Sequence, residues 1–133
     1  MDLITDISLW ALVKHLKQWL LNLRRAGSDR KAQSIQALRS VIIAARHTRV
    51  YVRQLNEAGE QSHETEAELS IQWTRLGFEL HDLGLNKLAK RCEIKGRYWA
   101  NPSQFDPAFL QKADVGLERM EQLARQMVAD IER

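Results

Sequence analysis

Apolar residues recur every three or four positions through most of this chain, which is the spacing of one face of an α-helix. The longest such stretch runs from Asp29 to Glu57 and contains neither glycine nor proline. At 1.5 Å per residue this helix would measure on the order of 40 Å, so other helices must lie alongside it. Its apolar arc consists of Ile35, Leu38, Val41, Ile42, Ala45, Thr48, Val52 and Leu55.

Two further helices are predicted on either side of this long one. The first begins near Thr5 or Asp6, which can cap its free N–H groups, and runs to about Arg25. The other begins near Thr65, because Thr65 and Glu68 have the spacing of a capping box. A polar loop that starts at residue 56 separates it from the long helix.

The last part of the chain contains a shorter helix and then a long one. The shorter helix lies between Gly84, which suits a helix end, and Pro102, which disfavours helix before it. Asp106 and Pro107 form a clean helix start, with the aspartate as cap and the proline at the first helical position. This last helix is predicted to run to about Glu132.

The composition of the 133-residue chain suits one folded helical domain. The chain is 44% hydrophobic and 28% charged, and it contains six glycines and two prolines, the residues that interrupt helices most often. A chain of this length buries about two thirds of its unfolded surface. The sequence predicts an all-α fold: an up-and-down bundle of four long helices plus one short helix in a single domain, residues 1–133.

The sequence indicates a cytoplasmic protein. The single cysteine, Cys92, excludes an internal disulfide and suits a reducing compartment. The apolar runs are far shorter than the ~20 residues that span a bilayer, and the acidic Asp2 and Asp6 are unlike a signal peptide. Trp10 near Lys14 is also typical of membrane-surface helices, but we interpret it as packing on a neighbouring helix or a second subunit.

A regular apolar seam runs through the predicted last helix. Its positions alternate by three and four residues, as in coiled coils. Such a seam packs on a sibling helix within one chain or on its own copy in a homodimer, and the sequence leaves both arrangements open. The candidate interaction residues of the seam are Leu110, Leu117, Met120 and Met127.

Two cationic features are candidates for binding nucleic acid. The chain has 20 Lys and Arg against 17 Asp and Glu, so the net charge of +3 is a weak excess and its distribution matters more. Arg39, Arg46 and Arg53 recur every seven residues, where they can hold phosphates or pair with acids of another helix. The second feature is the most basic stretch of the chain, with Lys87, Lys90, Arg91, Lys95, Arg97 and the aromatic Trp99.

This basic stretch has two interpretations. Its cations can meet phosphates while Trp99 stacks on an unpaired base. Alternatively, the cations form a solvated helix face and the aromatic side chain packs into the core.

The sequence lacks a strong pattern for a metal site or a nucleotide site. The four histidines have no second His or Cys at ligand spacing, and no glycine pair has the spacing of a phosphate-binding loop. Cys92 falls on the inward side of its helix, where a thiol is usually a small apolar filler. We therefore expect no metal ion and no cofactor.

One short motif suggests catalysis through a family resemblance. The segment RLGFELH, from Arg75 to His81, resembles the signature of HEPN ribonucleases, in which an arginine precedes a histidine by a few residues. The resemblance implies a small all-helical protein, often dimeric, from a toxin-antitoxin or phage-defence system. It also implies that Arg75 and His81 cut RNA across the dimer. Arg75 and Glu79 equally form an ordinary i, i+4 pair.

The function that these patterns favour is a non-enzymatic helical module that self-associates, as a homodimer, or docks on a protein partner. A nucleic-acid-binding protein with a basic surface and an HEPN-like ribonuclease are the alternatives. Phosphate binding predicts an affinity that falls steeply with salt, and a ribonuclease predicts RNA cleavage that is lost in His81→Ala. An assembly module predicts neither.

Overall fold

The computed structural model describes residues 9–102 and 107–133, and these residues form five α-helices without a β-strand. The helices are α1 (Leu9–Leu23), α2 (Ser28–Ala58), α3 (His63–Asp82), α4 (Asn86–Ala100) and α5 (Pro107–Glu132). The predicted all-α fold is confirmed. The predicted caps Thr5, Asp6 and Asp106 and the side chain of Trp10 lie outside the described part of the chain.

The helix lengths agree roughly with the predicted four long helices and one short helix. α2 has 31 residues and α5 has 26, whereas α1 and α4 have 15 each in the described ranges. α2 continues to Ala58, past the predicted start of the loop, and ends at Gly59, whose φ of 68° is left-handed. None of the described helices is long and apolar enough to cross a membrane.

α3 begins three residues earlier than the capping-box spacing predicts. Ser62 rather than Thr65 is the N-cap, because the Ser62 hydroxyl accepts a hydrogen bond from the Thr65 N–H at 3.2 Å. The Ser62 N–H in turn donates to the Tyr51 hydroxyl at 2.8 Å. A side chain of α2 therefore fixes the start of α3, and local spacing in the sequence does not show such a contact.

The bundle is built from two closely packed helix pairs, α2 with α5 and α3 with α4, which are joined where α2 contacts α3. The α2–α5 pair is antiparallel, since Arg39 near the start of α2 meets Glu132 at the end of α5, and Arg53 meets Asp114. This pairing agrees with the up-and-down arrangement that the sequence predicts.

α3 and α4 approach each other closely at a glycine. A Cβ atom on Gly96 would collide with the Thr74 side chain and would lie 3.2 Å from the Ser70 carbonyl oxygen. The Ser70 hydroxyl also donates a 2.7 Å hydrogen bond to the Gly96 carbonyl oxygen. A larger residue at position 96 would therefore push the two helices apart.

α2 is buried over a wider arc than the sequence predicts. Ala37, Ala44 and Tyr51 are buried as well as most of the predicted arc. Tyr51 packs against the Trp99 ring of α4, with ring centroids 5.6 Å apart. The buried arc is wider than predicted because the long helix has neighbours on two sides. α5 lies on one side and the α3–α4 pair on the other.

Candidate interaction face

The predicted seam of α5 lies inside the bundle. All four candidate interaction residues, which pack where α5 meets α2, are buried within the single chain. A partner protein cannot reach them without opening the fold, so the exposed surface for an interaction has to lie elsewhere. The residues concerned are Leu110, Leu117, Met120 and Met127.

The arginine row of α2 pairs with carboxylates of α5, while the three side chains stay more than half exposed to solvent. Arg49 Nε donates to Asp114 Oδ1 at 2.8 Å, and Arg46 Nε donates to Glu121 Oε2 at 3.1 Å. The hydrogen bond to Asp114 and its negative charge raise the pKa of the Arg49 guanidinium. These acids offset part of the positive charge that a phosphate would meet. The outer pairs, each at 3.5 Å, are Arg39 with Glu132 and Arg53 with Asp114.

The basic stretch is divided between the surface and the interior of the protein. Lys87, Lys90 and Arg97 are exposed on one side of α4. Arg91 and Lys95 are buried instead. The cationic surface of α4 is therefore smaller than the run of charges in the sequence predicts.

Two of the candidate nucleic-acid-binding residues belong to the core. The Lys95 ammonium lies 5.8 Å from the centroid of the Trp73 ring, within the range of a cation–π contact. The Trp99 ring is buried and meets the rings of Tyr51 and Tyr98 edge to face. Trp99 is therefore inaccessible to a stacked base, which corrects the first interpretation of the basic stretch at this residue.

The residues of the HEPN-like segment lie on one unbroken helix. Arg75 and His81 are both exposed on α3, and at 100° per residue their directions differ by about 120°. Arg75 lines a groove between α2 and α3. His81 lies outside that groove, with its Nδ1 3.9 Å from Asp82 Oδ1. The two side chains do not form a joint site within one chain.

Cys92 lacks the properties of a nucleophile. It is fully buried, and this burial raises the pKa of its thiol from 9.0 to about 12. A thiol with that pKa is protonated near neutral pH and reacts slowly. Across the described ranges, no three His, Cys, Asp or Glu side chains are grouped so as to hold a metal ion.

A groove of about 560 Å³ runs between α2 and α3. Ile43 and His47 of α2 line one side, and Ile71 and Arg75 of α3 line the other. Between the two helices, His47 Nδ1 donates a hydrogen bond to Gln72 Oε1 at 2.9 Å. The groove is open to solvent and has both apolar and charged walls.

Exposed apolar side chains are concentrated on the two helices that form this groove. Ile43 and Val50 of α2 are 60% and 57% exposed, and Ile71 and Phe78 of α3 are 53% and 59% exposed. These four make up most of the six large apolar residues that are exposed in the described ranges. Single exposed apolar groups are ordinary, but a cluster on adjacent helices indicates a binding surface. We call the groove and these four residues the α2–α3 face.

The sequence contains only a weak signal for the α2–α3 face. Ile43 and Val50 stand out as neighbours of the arginine row, and Ile71 and Phe78 do not stand out at all. Ile71 and Phe78 are seven residues apart, on the side of α3 opposite the buried Trp73. On a helical wheel of α3, both residues fall on the otherwise polar side, and this position is the signal that could have identified them.

A buried carboxylate occupies the loop end of α3. Glu66 Oε2 accepts a 2.7 Å hydrogen bond from the Tyr51 hydroxyl, and Oε1 accepts one from Gln61 Nε2 at 3.2 Å. His63 Nδ1 lies 3.3 Å from the same Oε1 atom. Burial and the hydrogen bond to Glu66 raise the pKa of Tyr51 to about 12. These bonds tie the loop to α2 and α3, so the carboxylate is engaged in the fold.

Comparisons with known proteins assign no function to the chain. No family model matches it, and neither a curated protein nor a solved structure gives a significant match. The function has to be inferred from the surfaces of the molecule.

Proposed function

We propose that this chain is a non-enzymatic helical interaction module that self-associates or docks on a protein partner through the α2–α3 face. The observation that carries the proposal is that four exposed apolar side chains lie on two adjacent helices, and that two of them, Ile43 and Ile71, line an open groove. Removing such side chains from water contributes about 25 cal/mol per Å² of apolar surface. A partner that covers the face would therefore gain affinity from it.

The composition of the face supports the proposal. Its apolar residues are accompanied by Glu68, Arg75 and Glu79, which line the same groove. Protein interfaces commonly combine an apolar centre with a polar and charged rim. The apolar residues would supply affinity, and the charges would select the partner and the register.

Site-specific photo-crosslinking in the organism that encodes the chain tests this proposal. A benzophenone amino acid replaces Ile71 on the face or, as a matched control, Val115, which is exposed on α5. We expect a discrete adduct from position 71, with a second copy or with another protein, and none from position 115. Equal adducts from the two positions, or none from either, would contradict the role of the face.

A second candidate function, nucleic-acid binding, is favoured by the exposed side of α4. Lys87, Lys90 and Arg97 share that side and make no salt bridge within the part of the chain that the structure describes. Three phosphate contacts would give weak binding, with a slope of log affinity against log salt of about −2 on a single strand. Fluorescence anisotropy with a labelled RNA measures this slope, and salt-independent binding or unchanged binding by Lys90→Glu would exclude this surface.

A further inference from the structure

We infer that the outer side of α1 binds the surface of an anionic lipid bilayer, with a leucine among the lipid headgroups and the surrounding cations on their phosphates. This inference goes beyond the proposed function, because none of the residues that line the α2–α3 groove belongs to α1. It follows from the charge, the exposure and the spacing of the side chains on this helix. We call Lys17, Leu21, Arg24 and Arg25 the α1 face.

The α1 face carries charge of one sign. From residue 7 to residue 28 the sequence contains no Asp or Glu, whereas it contains Lys14, Lys17, Arg24 and Arg25. All four of these side chains are exposed. The three that belong to the face make no salt bridge within the described ranges. A surface that covers this side of α1 therefore has to be anionic, because a cationic surface would repel these charges and an apolar one would desolvate them.

An exposed leucine lies between these cations. Leu21 is 55% exposed, on the side of α1 opposite the buried Leu12. Lys17 precedes Leu21 by four residues and Arg24 follows it by three, so the two cations lie one turn away in either direction. The Arg24 N–H donates to the Leu20 carbonyl oxygen at 3.2 Å, which continues the helical course at this end. The α1 face is therefore an apolar side chain bordered by cations along the helix.

The turns next to α1 carry charges of both signs. Trp19 Nε1 donates a hydrogen bond to the Leu83 carbonyl oxygen at 2.8 Å, which places the α3–α4 turn beside the end of α1. The cations near this turn and near the start of α2 are Arg30, Lys31, Lys87 and Lys90, and the acids are Asp29, Glu79 and Asp82. These charges nearly balance. The preference for an anionic partner therefore arises from the α1 face itself.

The α1 face is a poor match for a second copy of itself. A two-fold axis through the face would bring the cations of the two copies together, and like charges across an interface are unfavourable. No described helix of the same chain covers the face either, since Leu21 is more than half exposed. The anionic surface therefore has to come from another molecule.

The leucine favours a lipid surface over a nucleic acid. Proteins contact the backbone of nucleic acids through cations and polar groups, and unpaired bases stack on exposed aromatic rings. Trp19 is buried, so the described side chains of α1 expose no aromatic ring. At a bilayer surface, Lys and Arg bind phosphates while their apolar stems and a leucine enter the boundary below the headgroups. An anionic bilayer therefore matches both the cations and Leu21.

Co-sedimentation of the full chain with lipid vesicles tests this inference. Vesicles of phosphatidylglycerol and phosphatidylcholine in about equal parts supply the anionic surface, and vesicles of phosphatidylcholine alone are the uncharged comparison. We expect the wild type to bind the mixed vesicles at least about tenfold more tightly, with binding that weakens as the salt concentration rises. Equal binding to the two kinds of vesicle, or no binding to the mixed vesicles at low salt, would overturn the inference.

Single variants separate the contribution of charge from that of the leucine. Arg24→Glu should weaken binding to the mixed vesicles on the order of tenfold or more, and Leu21→Gln about fivefold. The matched controls on α5 are Arg119→Glu, an exposed charge reversal, and Val115→Gln, the loss of an exposed apolar side chain. Circular dichroism checks that each variant is folded. Equal losses in the α1 variants and their controls, or no loss in any of them, would overturn the role of the α1 face.

A labelled duplex RNA in the same buffer distinguishes a lipid surface from a nucleic acid. We expect Leu21→Gln to weaken vesicle binding while any binding of the duplex stays unchanged, because backbone phosphates gain nothing from the leucine. A wild type that bound the duplex but not the mixed vesicles would have a nucleic acid as the partner of the α1 face, and the inference would be wrong. The crosslinks from position 71 test the α2–α3 face independently, since the two surfaces share no residue.

Discussion

The Tyr51 hydroxyl joins α2 to α3 and to the loop before it. It donates to the Glu66 carboxylate on α3 and accepts from the Ser62 N–H at the start of that helix. The Tyr51 ring packs against Trp99 on α4. A buried polar group stabilises a fold only while its partners remain paired, so this hydroxyl couples α2, the loop and α3.

Replacing this hydroxyl should destabilise the protein measurably. Tyr51→Phe removes the hydrogen bonds to the buried Glu66 Oε2 and from the Ser62 N–H, which we expect to lower the free energy of unfolding by about 1–3 kcal/mol. Urea unfolding followed by circular dichroism measures the loss. Ser40→Ala, which removes an exposed hydroxyl bonded within α2, should change the stability by less than about 0.5 kcal/mol. Equal effects of the two variants would contradict this role of Tyr51.

The raised pKa values of two buried groups and one half-buried group predict a loss of stability at alkaline pH. Burial raises the pKa of Cys92 from 9.0 to about 12, and those of Tyr51 and Tyr98 from 10.0 to about 12. The folded state therefore keeps protons that the unfolded state releases. This stability is complete below pH 9.0 and should fall as the pH rises from there to about 12, more steeply above 10.0.

Unfolding experiments across this pH range check the prediction. Cys92→Ala should flatten the first part of the decline and Tyr51→Phe the later part, because each variant removes one group that releases a proton on unfolding. Parallel pH profiles for the wild type and Cys92→Ala would show that the thiol pKa is not raised in the folded protein.

At the scale of helices, the three-four spacing of apolar residues predicts where the helices lie and which side of each helix faces the core. The core stripes of α3 and α4 follow from local sequence alone, because a helix turns by 100° per residue whatever it packs against. Leu69, Trp73 and Leu80 of α3, Leu88 of α4 and Leu85 at the N-cap of α4 are buried as this spacing predicts. Boundaries shift by a few residues where a distant side chain fixes the cap, as Tyr51 of α2 does for Ser62.

What each helix packs against depends on contacts between distant residues. The heptad spacing of α5 is the same for a seam inside one chain and for a seam between two copies, so the sequence could not place Leu117 inside the monomer. Trp99 and Lys95 are buried because α4 crosses α3 closely at Gly96. The α2–α3 face escaped prediction because local spacing does not show which sides of two helices stay uncovered by the other described helices.

The internal position of the α5 seam predicts how charge substitutions act on this helix. Leu117→Glu would bury a carboxylate in the core, which should cost more than about 4 kcal/mol and abolish cooperative unfolding. Val115→Glu, two residues away on the exposed side, should leave the melting curve nearly unchanged. Circular dichroism on heating distinguishes them. A folded but dissociated Leu117→Glu protein would contradict the internal seam.

At the scale of the whole molecule, the distribution of charge weakens the predicted nucleic-acid surface. The arginine row is paired with α5, and two cations of the basic stretch are buried, so the exposed side of α4 retains three of the candidate cations. A net charge of +3 does not add a strong field to these three. Contacts through the apolar α2–α3 face are the stronger basis for a function.

The HEPN-like alternative stays a prediction that a cleavage assay can test. Arg75 and His81 point in different directions within one chain, so joint action would need a second subunit. Because Arg75 and His81 form no joint site within one chain, we expect no RNA cleavage above background from the purified wild type. Cleavage that is lost in both His81→Ala and Arg75→Ala but kept in Lys87→Ala would show that the chain is a ribonuclease.

The molar mass of the wild-type protein in solution tests the proposed interaction module most directly. Size-exclusion chromatography with light scattering, at several loads and without nuclease treatment, gives the mass while ultraviolet absorbance reports bound nucleic acid. We predict a discrete dimer with the absorbance of pure protein at the higher loads. A monomer at every load would contradict self-association, and an absorbance excess that disappears at high salt would show that nucleic acid is the ligand instead.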